Sequence, residues 1–215
     1  RNKYTNVFVD VPKAGDTETY IYSADQIKEI IGLNQNLHIS TLDIAQASNL
    51  QHLDVSSNDE VDGNTTLVGL SLGANTLLRV LNAKNCRMLG APDAKYTTTE
   101  IKMSACEQLE EVYLEGTQIL GVDLPSGGRL RKVHLPSTLT TLNLINQKKV
   151  EELKIVDNEG NTDYSNLSTL SVSNVNQMIQ NWTVDVISQL ETGYIKFTGF
   201  DVSFDSLDKF NTFID

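Results

Sequence analysis

A short phrase of apolar residues occurs three times between residues 109 and 158, and it restricts the possible folds more than any other feature. In each copy, the second and third apolar residues lie three and five positions after the first. The copies are Leu109, Val112 and Leu114; Leu130, Val133 and Leu135; and Val150, Leu153 and Ile155, beginning 21 and 20 residues apart. A fixed period of this length indicates a repeat architecture, in which each repeat buries its apolar residues against its neighbours.

The same phrase has a fuller form, L-x-x-L-x-L-x-x-N, at residues 50–58 (LQHLDVSSN) and 67–75 (LVGLSLGAN). With weaker copies included, the phrase begins at residues 50, 67, 88, 109, 130, 150 and 167, at intervals of 17 to 21 residues. These starts predict about seven repeating units, each of which we call a coil.

A second series of apolar–polar–apolar triplets runs out of phase with the first. Its members are Leu42-Asp-Ile44, Leu81-Asn-Ala83, Ile101-Lys-Met103, Val122-Asp-Leu124 and Leu142-Asn-Leu144. Alternation with a period of two is typical of a short strand with one buried face. Each coil of 20–21 residues is therefore predicted to contain about two short extended segments.

The L-x-x-L-x-L-x-x-N phrase at this spacing resembles the leucine-rich repeat over residues 42–175. The phrases LPSTLTTLNL and LPSGGRLRKVHL are similar to the bacterial and bacteriophage form of that repeat, the BspA-like group. The resemblance implies a solenoid with a parallel sheet along one face. The 17-residue coils depart from the family pattern, as does Pro92, which falls where a strand is expected and would forfeit a ladder hydrogen bond.

The sequence before and after the repeats predicts small α/β caps. Residues 1–36 are expected to form a strand-helix cap, with a helix that begins at Ser23 and ends at Gly32. Residues 37–175 are expected to form the solenoid, and residues 176–215 a helix-strand-helix unit. Because the chain begins without Met and ends in a helical pattern, we expect it to be an excerpt from a longer polypeptide.

Composition and motifs argue against several functions. The formal charge of −11 at pH 7 disfavours nucleic-acid binding, which needs clustered Lys and Arg. No apolar run approaches the length of a membrane span. Catalytic and phosphate-binding motifs are missing, so we expect no enzyme and no cofactor. The acidic stretches 59–62 and 157–163 lack the spacing of a calcium loop, which favours solvated turns over a metal site.

The two cysteines, Cys86 and Cys106, lie 20 residues apart at equivalent places in the second series. Stacked coils would bring their Cα atoms to about 5 Å, a distance that permits a disulfide. The alternative is that both are reduced core residues, since cysteine is often fully buried. No histidine has the spacing needed to complete a zinc site with them.

Short polar residues recur at the ninth position of the phrase, where the chain leaves the strand. These residues are Asn58, Asn75, Thr117, Thr138 and Asn158. An amide or hydroxyl at this bend replaces the hydrogen-bond partners that the backbone loses there. We therefore predict a buried polar ladder.

The residues between the inward-facing leucines form the candidate binding site. Glu111, Lys132 and Glu152 hold the same place in three consecutive coils, and Tyr113, His134 and Lys154 form the next column. One interpretation is a polar, partly aromatic binding patch on the concave face of the solenoid. The other is a set of cross-strand ion pairs that hold the sheet in register. The two interpretations are compatible.

Three functions remain to be compared. The first is a non-catalytic interaction module of a bacteriophage virion or tail protein, which binds a host cell-surface ligand or other virion proteins. The phrase YIKFTGFDVSF followed by LDKF resembles the ends of repeat regions in tail proteins of gut bacteriophages and implies this function. The second is a bacterial cell-surface or secreted adhesin, and the third is a hydrolase domain. The first two imply a virion or an extracellular location.

Overall fold

The computed structural model describes residues 27–32, 39–57, 66–144, 146–147, 149–161, 163, 165–167, 169–171 and 196–197. Within these residues the chain forms thirteen short strands and no helix. None of the described segments is therefore a helix long and apolar enough to cross a membrane. Most of both predicted caps, residues 1–36 and 176–215, lies outside the described residues.

The strands are three to five residues long, except for the last, which has two. In chain order they are β1 (Glu29–Ile31), β2 (Thr41–Asp43), β3 (His52–Asp54), β4 (Gly69–Ser71), β5 (Val80–Asn82), β6 (Glu100–Lys102), β7 (Glu111–Tyr113), β8 (Gly121–Asp123), β9 (Lys132–Pro136), β10 (Thr141–Asn143), β11 (Glu152–Val156), β12 (Thr169–Ser171) and β13 (Lys196–Phe197).

The strands divide into two sets, which the chain visits in turn from β1 to β12. The odd-numbered strands β1, β3, β5, β7, β9 and β11 form one parallel six-stranded sheet in that order. The even-numbered strands form three smaller parallel groups, β2-β4, β6-β8 and β10-β12, and β13 extends the last group. The fold is thus strand-rich and built from parallel pairing between segments distant in sequence.

The core consists of the middle residues of the strands together with the apolar residues that follow them. In the six-stranded sheet, register stacks Leu53, Leu81, Val112, Val133 and Leu153, all at most 6% exposed. Inward-facing residues of the even strands join the same buried cluster. Burying one such side chain contributes about 1.5–3 kcal/mol relative to leaving it exposed, so the stacked rows stabilise the pairing of many short strands.

The prediction of seven nearly equal coils is wrong in three places. The copies of the phrase that begin at residues 67 and 167 contain the strands β4 and β12. Because β4 pairs with β2 and β12 pairs with β10, both copies lie in the even set. Residues 88–90 form turns in place of a strand. Conversely, Leu81 belongs to the six-stranded sheet, where it pairs with Leu53 on one side and Val112 on the other.

Within the six-stranded sheet, the longest interval between neighbouring strands separates β5 from β7, and it contains turns and one close backbone approach. Gly90 has φ +92°, a conformation that favours glycine, and its Cα packs against the Gln118 and Ile119 backbone so closely that a Cβ would clash. Beside it, the Gln118 N–H donates to the Leu89 carbonyl at 2.7 Å. Pro92 also lies in a turn, where it forfeits no strand hydrogen bond.

The helix predicted to end at Gly32 is wrong in its last turn, because residues 29–31 form β1. Ile30 is buried and Ile31 is exposed, as in a strand with one buried face. The β-branched isoleucines suit a strand, and pairing with β3 supplies the hydrogen bonds. Gly32, with φ +69°, follows the strand directly.

Candidate functional site

The six candidate residues lie side by side on the outward face of β7, β9 and β11, which we call the polar face. Register pairs Glu111 with Lys132 and Lys132 with Glu152. In the second column, Tyr113 pairs with His134 and His134 with Lys154. The alignment predicted from the repeat spacing is confirmed. The binding role of these residues stays a prediction.

Ion pairs connect the charged residues of the polar face. Lys132 Nζ lies 3.5 Å from Glu111 Oε1 across the β7–β9 pair, and Lys154 Nζ lies 2.5 Å from Glu152 Oε1 along β11. The Lys154 contact and, less strongly, His134 lower the pKa of Glu152. Because these side chains are 30–53% exposed, each pair contributes at most about 1 kcal/mol. The predicted cross-strand ion pair is thus confirmed for Lys132 and Glu111, whereas Lys154 pairs with Glu152 of its own strand.

An aromatic pair occupies the middle of the polar face. The rings of Tyr113 and His134 meet edge to face at 4.9 Å between centroids and 87° between planes. The Tyr113 hydroxyl donates to Glu111 Oε2 at 2.7 Å. Burial raises the pKa of Tyr113, and the hydrogen bond to the Glu111 carboxylate raises it further, which keeps the hydroxyl protonated and donating.

His134 lies between two carboxylates and connects the two columns. Its Nε2 is 3.0 Å from Glu152 Oε1 and its Nδ1 is 3.5 Å from Glu115 Oε1, while the side chain is only 13% exposed. A neutral imidazole has one N–H and donates to one carboxylate, whereas an imidazolium donates to both. His134 therefore links the Glu152 carboxylate of β11 to the Glu115 carboxylate that follows β7.

Glu115 is the residue that sequence reasoning missed. It is 9% exposed, its Oε1 lies 3.7 Å from Lys84 Nζ, and its Oε2 is buried without a hydrogen-bond partner among the described residues. Burial acts to raise the pKa of Glu115, but the hydrogen bond with His134, a backbone hydrogen bond and Lys84 together lower it below its ordinary value. Glu115 follows Glu111 and Tyr113 at alternate positions, a spacing that could have identified it.

The two cysteines are buried thiols with no disulfide, which confirms the reduced-core interpretation. The Cys86 thiol donates to the Val55 carbonyl at 3.2 Å. The proposed stacking of Cys86 on Cys106 is wrong, because Cys86 follows β5 in the six-stranded sheet and Cys106 follows β6 in the even set. Burial, and then the charge of Glu107, raise the pKa of Cys106 to about 11, so this thiol is protonated at neutral pH.

The predicted polar ladder is confirmed at two positions and wrong as a continuous feature. Asn75 and Thr117 are fully buried and donate to backbone carbonyls, but Asn75 follows β4 of the even set and Thr117 follows β7. Thr138 is half-buried and donates to the Ile119 carbonyl, while Asn158 is exposed. Asn58 lies outside the described residues. Buried Gln147, which donates to the Pro125 carbonyl, is a polar core residue that the repeat pattern does not predict.

The acidic loop after β11 is a hydrogen-bonded turn. Asp157 Oδ1 accepts the backbone N–H groups of Glu159 and Asn161 at 2.9 and 2.8 Å, which lowers the Asp157 pKa. Among the described residues, no group of three or more His, Cys, Asp or Glu side chains is arranged to hold a metal ion. The stretch 59–62 lies outside that part of the chain.

Comparisons of the chain with family models, with curated proteins and with solved structures found no match. A functional interpretation of the polar face therefore rests on its geometry. That geometry is an edge-to-face aromatic pair, half-enclosed by acids and lysines that already contact one another.

Proposed function

We propose that residues 37–175 form a leucine-rich-repeat solenoid that acts as a non-catalytic interaction module. Stacked apolar rows in a parallel six-stranded sheet support this proposal, as does the chain's regular alternation between two strand sets. Side chains at the bends, such as Asn75 and Cys86, that donate to carbonyls of the preceding segment support it further. Unequal intervals between the paired strands β3, β5 and β7 make the repeat less regular than the sequence indicates.

The polar face is the surface proposed to bind a protein or host cell-surface ligand. The observation that carries this proposal is the Tyr113–His134 pair, a half-enclosed aromatic centre with Glu111, Lys132, Glu152 and Lys154 around it. Interfaces concentrate binding energy in central aromatic residues within a polar rim. Because these side chains already contact one another, little conformational entropy is lost when a partner binds.

The parent protein is proposed to be a bacteriophage virion or tail protein, in which this module engages a host-cell ligand or other virion proteins. The resemblance of the C-terminal phrase to tail proteins of gut bacteriophages supports this, as does the similarity of the repeat phrases to the bacterial and bacteriophage form of the repeat. A bacterial cell-surface or secreted adhesin is the second candidate, since the BspA-like phrases also fit it. A secretion signal or a cell-wall anchor in the full-length sequence would favour the adhesin.

Binding of the fluorescently labelled chain to a panel of intact bacterial cells tests the proposal. We expect saturable binding to a subset of strains. The triple substitution Tyr113→Ala, His134→Ala and Lys154→Ala should weaken that binding at least about tenfold, since central interface residues each contribute about 1 kcal/mol or more.

The control variant is the double substitution Glu100→Ala and Lys102→Ala on β6, which alters exposed charges in the even set. This variant should bind like the unmodified chain, and both variants should keep its circular dichroism spectrum. Equal affinity of the triple variant and the unmodified chain for the cells would refute the assignment of binding to the polar face.

A further inference from the structure

A small cavity lies on the even-numbered strands, away from the polar face. It is formed by β2, β4 and the segment that runs beside β4, and its volume is about 150 Å³. The described residues that line it are Thr41, Leu42, Asp43, Gly69, Leu70, Ser71, Tyr96 and Thr98. Because β2 and β4 belong to the even set, the polar face contributes no residue to this lining.

The cavity is formed by a close approach of residues 96–98 to β4. The Thr98 hydroxyl accepts the Leu70 N–H at 3.0 Å, which fixes this segment at the edge of the strand. The Tyr96 carbonyl oxygen lies directly over Gly69, where a Cβ atom would come within 2.9 Å of it. The missing side chain at Gly69 therefore lets the segment close one side of the cavity.

Tyr96 is held in a conformation that neither its backbone preference nor burial explains. Its φ is +65°, in the left-handed region that is unfavourable for residues with a side chain. The residue is 54% exposed, and the Lys95 ammonium lies 4.6 Å from the ring centroid. Strained residues of this kind are concentrated at ligand sites, so the conformation directs attention to a binding role.

The lining indicates a ligand rich in hydroxyl groups. Thr41 and Ser71 supply hydroxyls, and Asp43 supplies a carboxylate whose Oδ1 already accepts the Ala45 N–H. The Thr98 hydroxyl is bonded to the Leu70 N–H and carbonyl, and Tyr96 belongs to the lining with its backbone carbonyl over Gly69. No positively charged residue is among the described residues of the lining, and Asp43 repels anions. A volume of about 150 Å³ holds several water molecules but is smaller than the pockets that hold drug-sized ligands.

We propose that this cavity binds a single sugar ring, as a free monosaccharide or as one unit of a glycan chain. Sugar hydroxyls donate to Asp43 and exchange hydrogen bonds with Thr41 and Ser71, whose hydroxyls bond to no other described residue. The apolar C–H face of the ring packs against Tyr96. This site is independent of the polar face and of the function proposed for it.

Saturation-transfer NMR on the 215-residue chain, with a panel of methyl glycosides at millimolar concentration, tests the proposal. We expect saturation transfer to at least one glycoside, lost in Tyr96→Ala and retained in Tyr96→Phe, which keeps the ring. Asp43→Asn should weaken binding of the same glycoside at least tenfold. Asp123→Asn changes the equivalent third residue of β8 and should leave binding unchanged.

A glycan array separates the two sources of the sugar. If the chain binds array glycans but no methyl glycoside, and Tyr96→Ala removes that binding, the occupant is one unit of a chain. No binding in either experiment would overturn the proposal. So would binding that Tyr96→Ala and Asp43→Asn leave intact, or a response to methylammonium in place of the sugars, because the site would then recognise a cation.

Discussion

Alanine substitutions at two glycines test whether the chain between β5 and β7 packs closely against the backbone of residues 118–119. Gly90 has φ +92°, and a Cβ added there would lie 2.4 Å from the Gln118 carbonyl carbon and the Ile119 nitrogen. Gly160 has a similar φ of +85°, but a Cβ added there would meet nothing within 4 Å. Alanine at either position carries the same backbone strain, and only at Gly90 does it also force two backbone segments apart.

The structure allows the two effects to be separated in magnitude. A left-handed backbone costs an L-residue about 1–2 kcal/mol, which is the whole expected effect of Gly160→Ala. At Gly90, overpacking adds about 1–3 kcal/mol. Loss of the 2.7 Å hydrogen bond from Gln118 N–H to the Leu89 carbonyl adds about 1 kcal/mol. Gly90→Ala should therefore destabilise the chain by about 3–6 kcal/mol.

Urea unfolding followed by circular dichroism measures both free energies of unfolding. In a chain of this length, a change of about 1 kcal/mol shifts Tm by about 2–4 °C, so Gly90→Ala should melt well below Gly160→Ala. Equal destabilisation by the two substitutions, within about 0.5 kcal/mol, would refute the packing of residue 90 against residues 118–119. In that case the path of the chain between β5 and β7 would be wrong.

Two further predictions concern ionisable groups. The pKa of Glu115 is lowered in the folded state, so the stability it contributes is present above its unfolded pKa and is lost as pH falls through the folded pKa. Glu115→Gln, which also weakens the contact with His134, should therefore lower the urea midpoint at pH 7 and have a progressively smaller effect as the pH is lowered below the ordinary glutamate range. Glu100→Gln, at an exposed position, is the control, and a loss for Glu115→Gln that stays the same at every pH would contradict the argument. Cys86 and Cys106 should resist a thiol reagent at pH 8 in the native chain and react fully in urea, because both are buried and the pKa of Cys106 is about 11. Rapid labelling of either native thiol would contradict their burial.

The part of the fold that the sequence predicts best lies between β7 and β11. Its strands start at nearly equal spacing, and the predicted register, Glu111 beside Lys132 beside Glu152, is the register found. Here β7, β9 and β11 begin at residues 111, 132 and 152, so successive strands of the six-stranded sheet start at a nearly constant spacing. The spacing in sequence therefore equals the spacing of neighbours in the sheet.

Earlier in the chain the same reasoning fails because both strand sets have the same local pattern. An apolar–polar–apolar triplet shows which face of a strand is buried, but not which sheet the strand joins. The sequence pattern places Leu81 in one series with Ile101, whereas in the structure Leu81 pairs with Leu53 and Val112. Lengthening a surface connection costs little free energy, so the longer intervals on either side of β5 are compatible with the same stacked core.

The sequence likewise predicts the polar face better than it predicts the cavity beside β4. The polar face depends on strand alternation, and extending that alternation past the end of β7 would have included Glu115. The cavity beside β4 depends on the Tyr96 backbone lying over Gly69, a contact between segments distant in sequence that no local pattern encodes. Because the inward-facing apolar residues already pack against one another in the core, both sites consist mainly of outward-facing residues. Substitutions there can change ligand binding with little effect on the core, which makes the experiments on each surface separable.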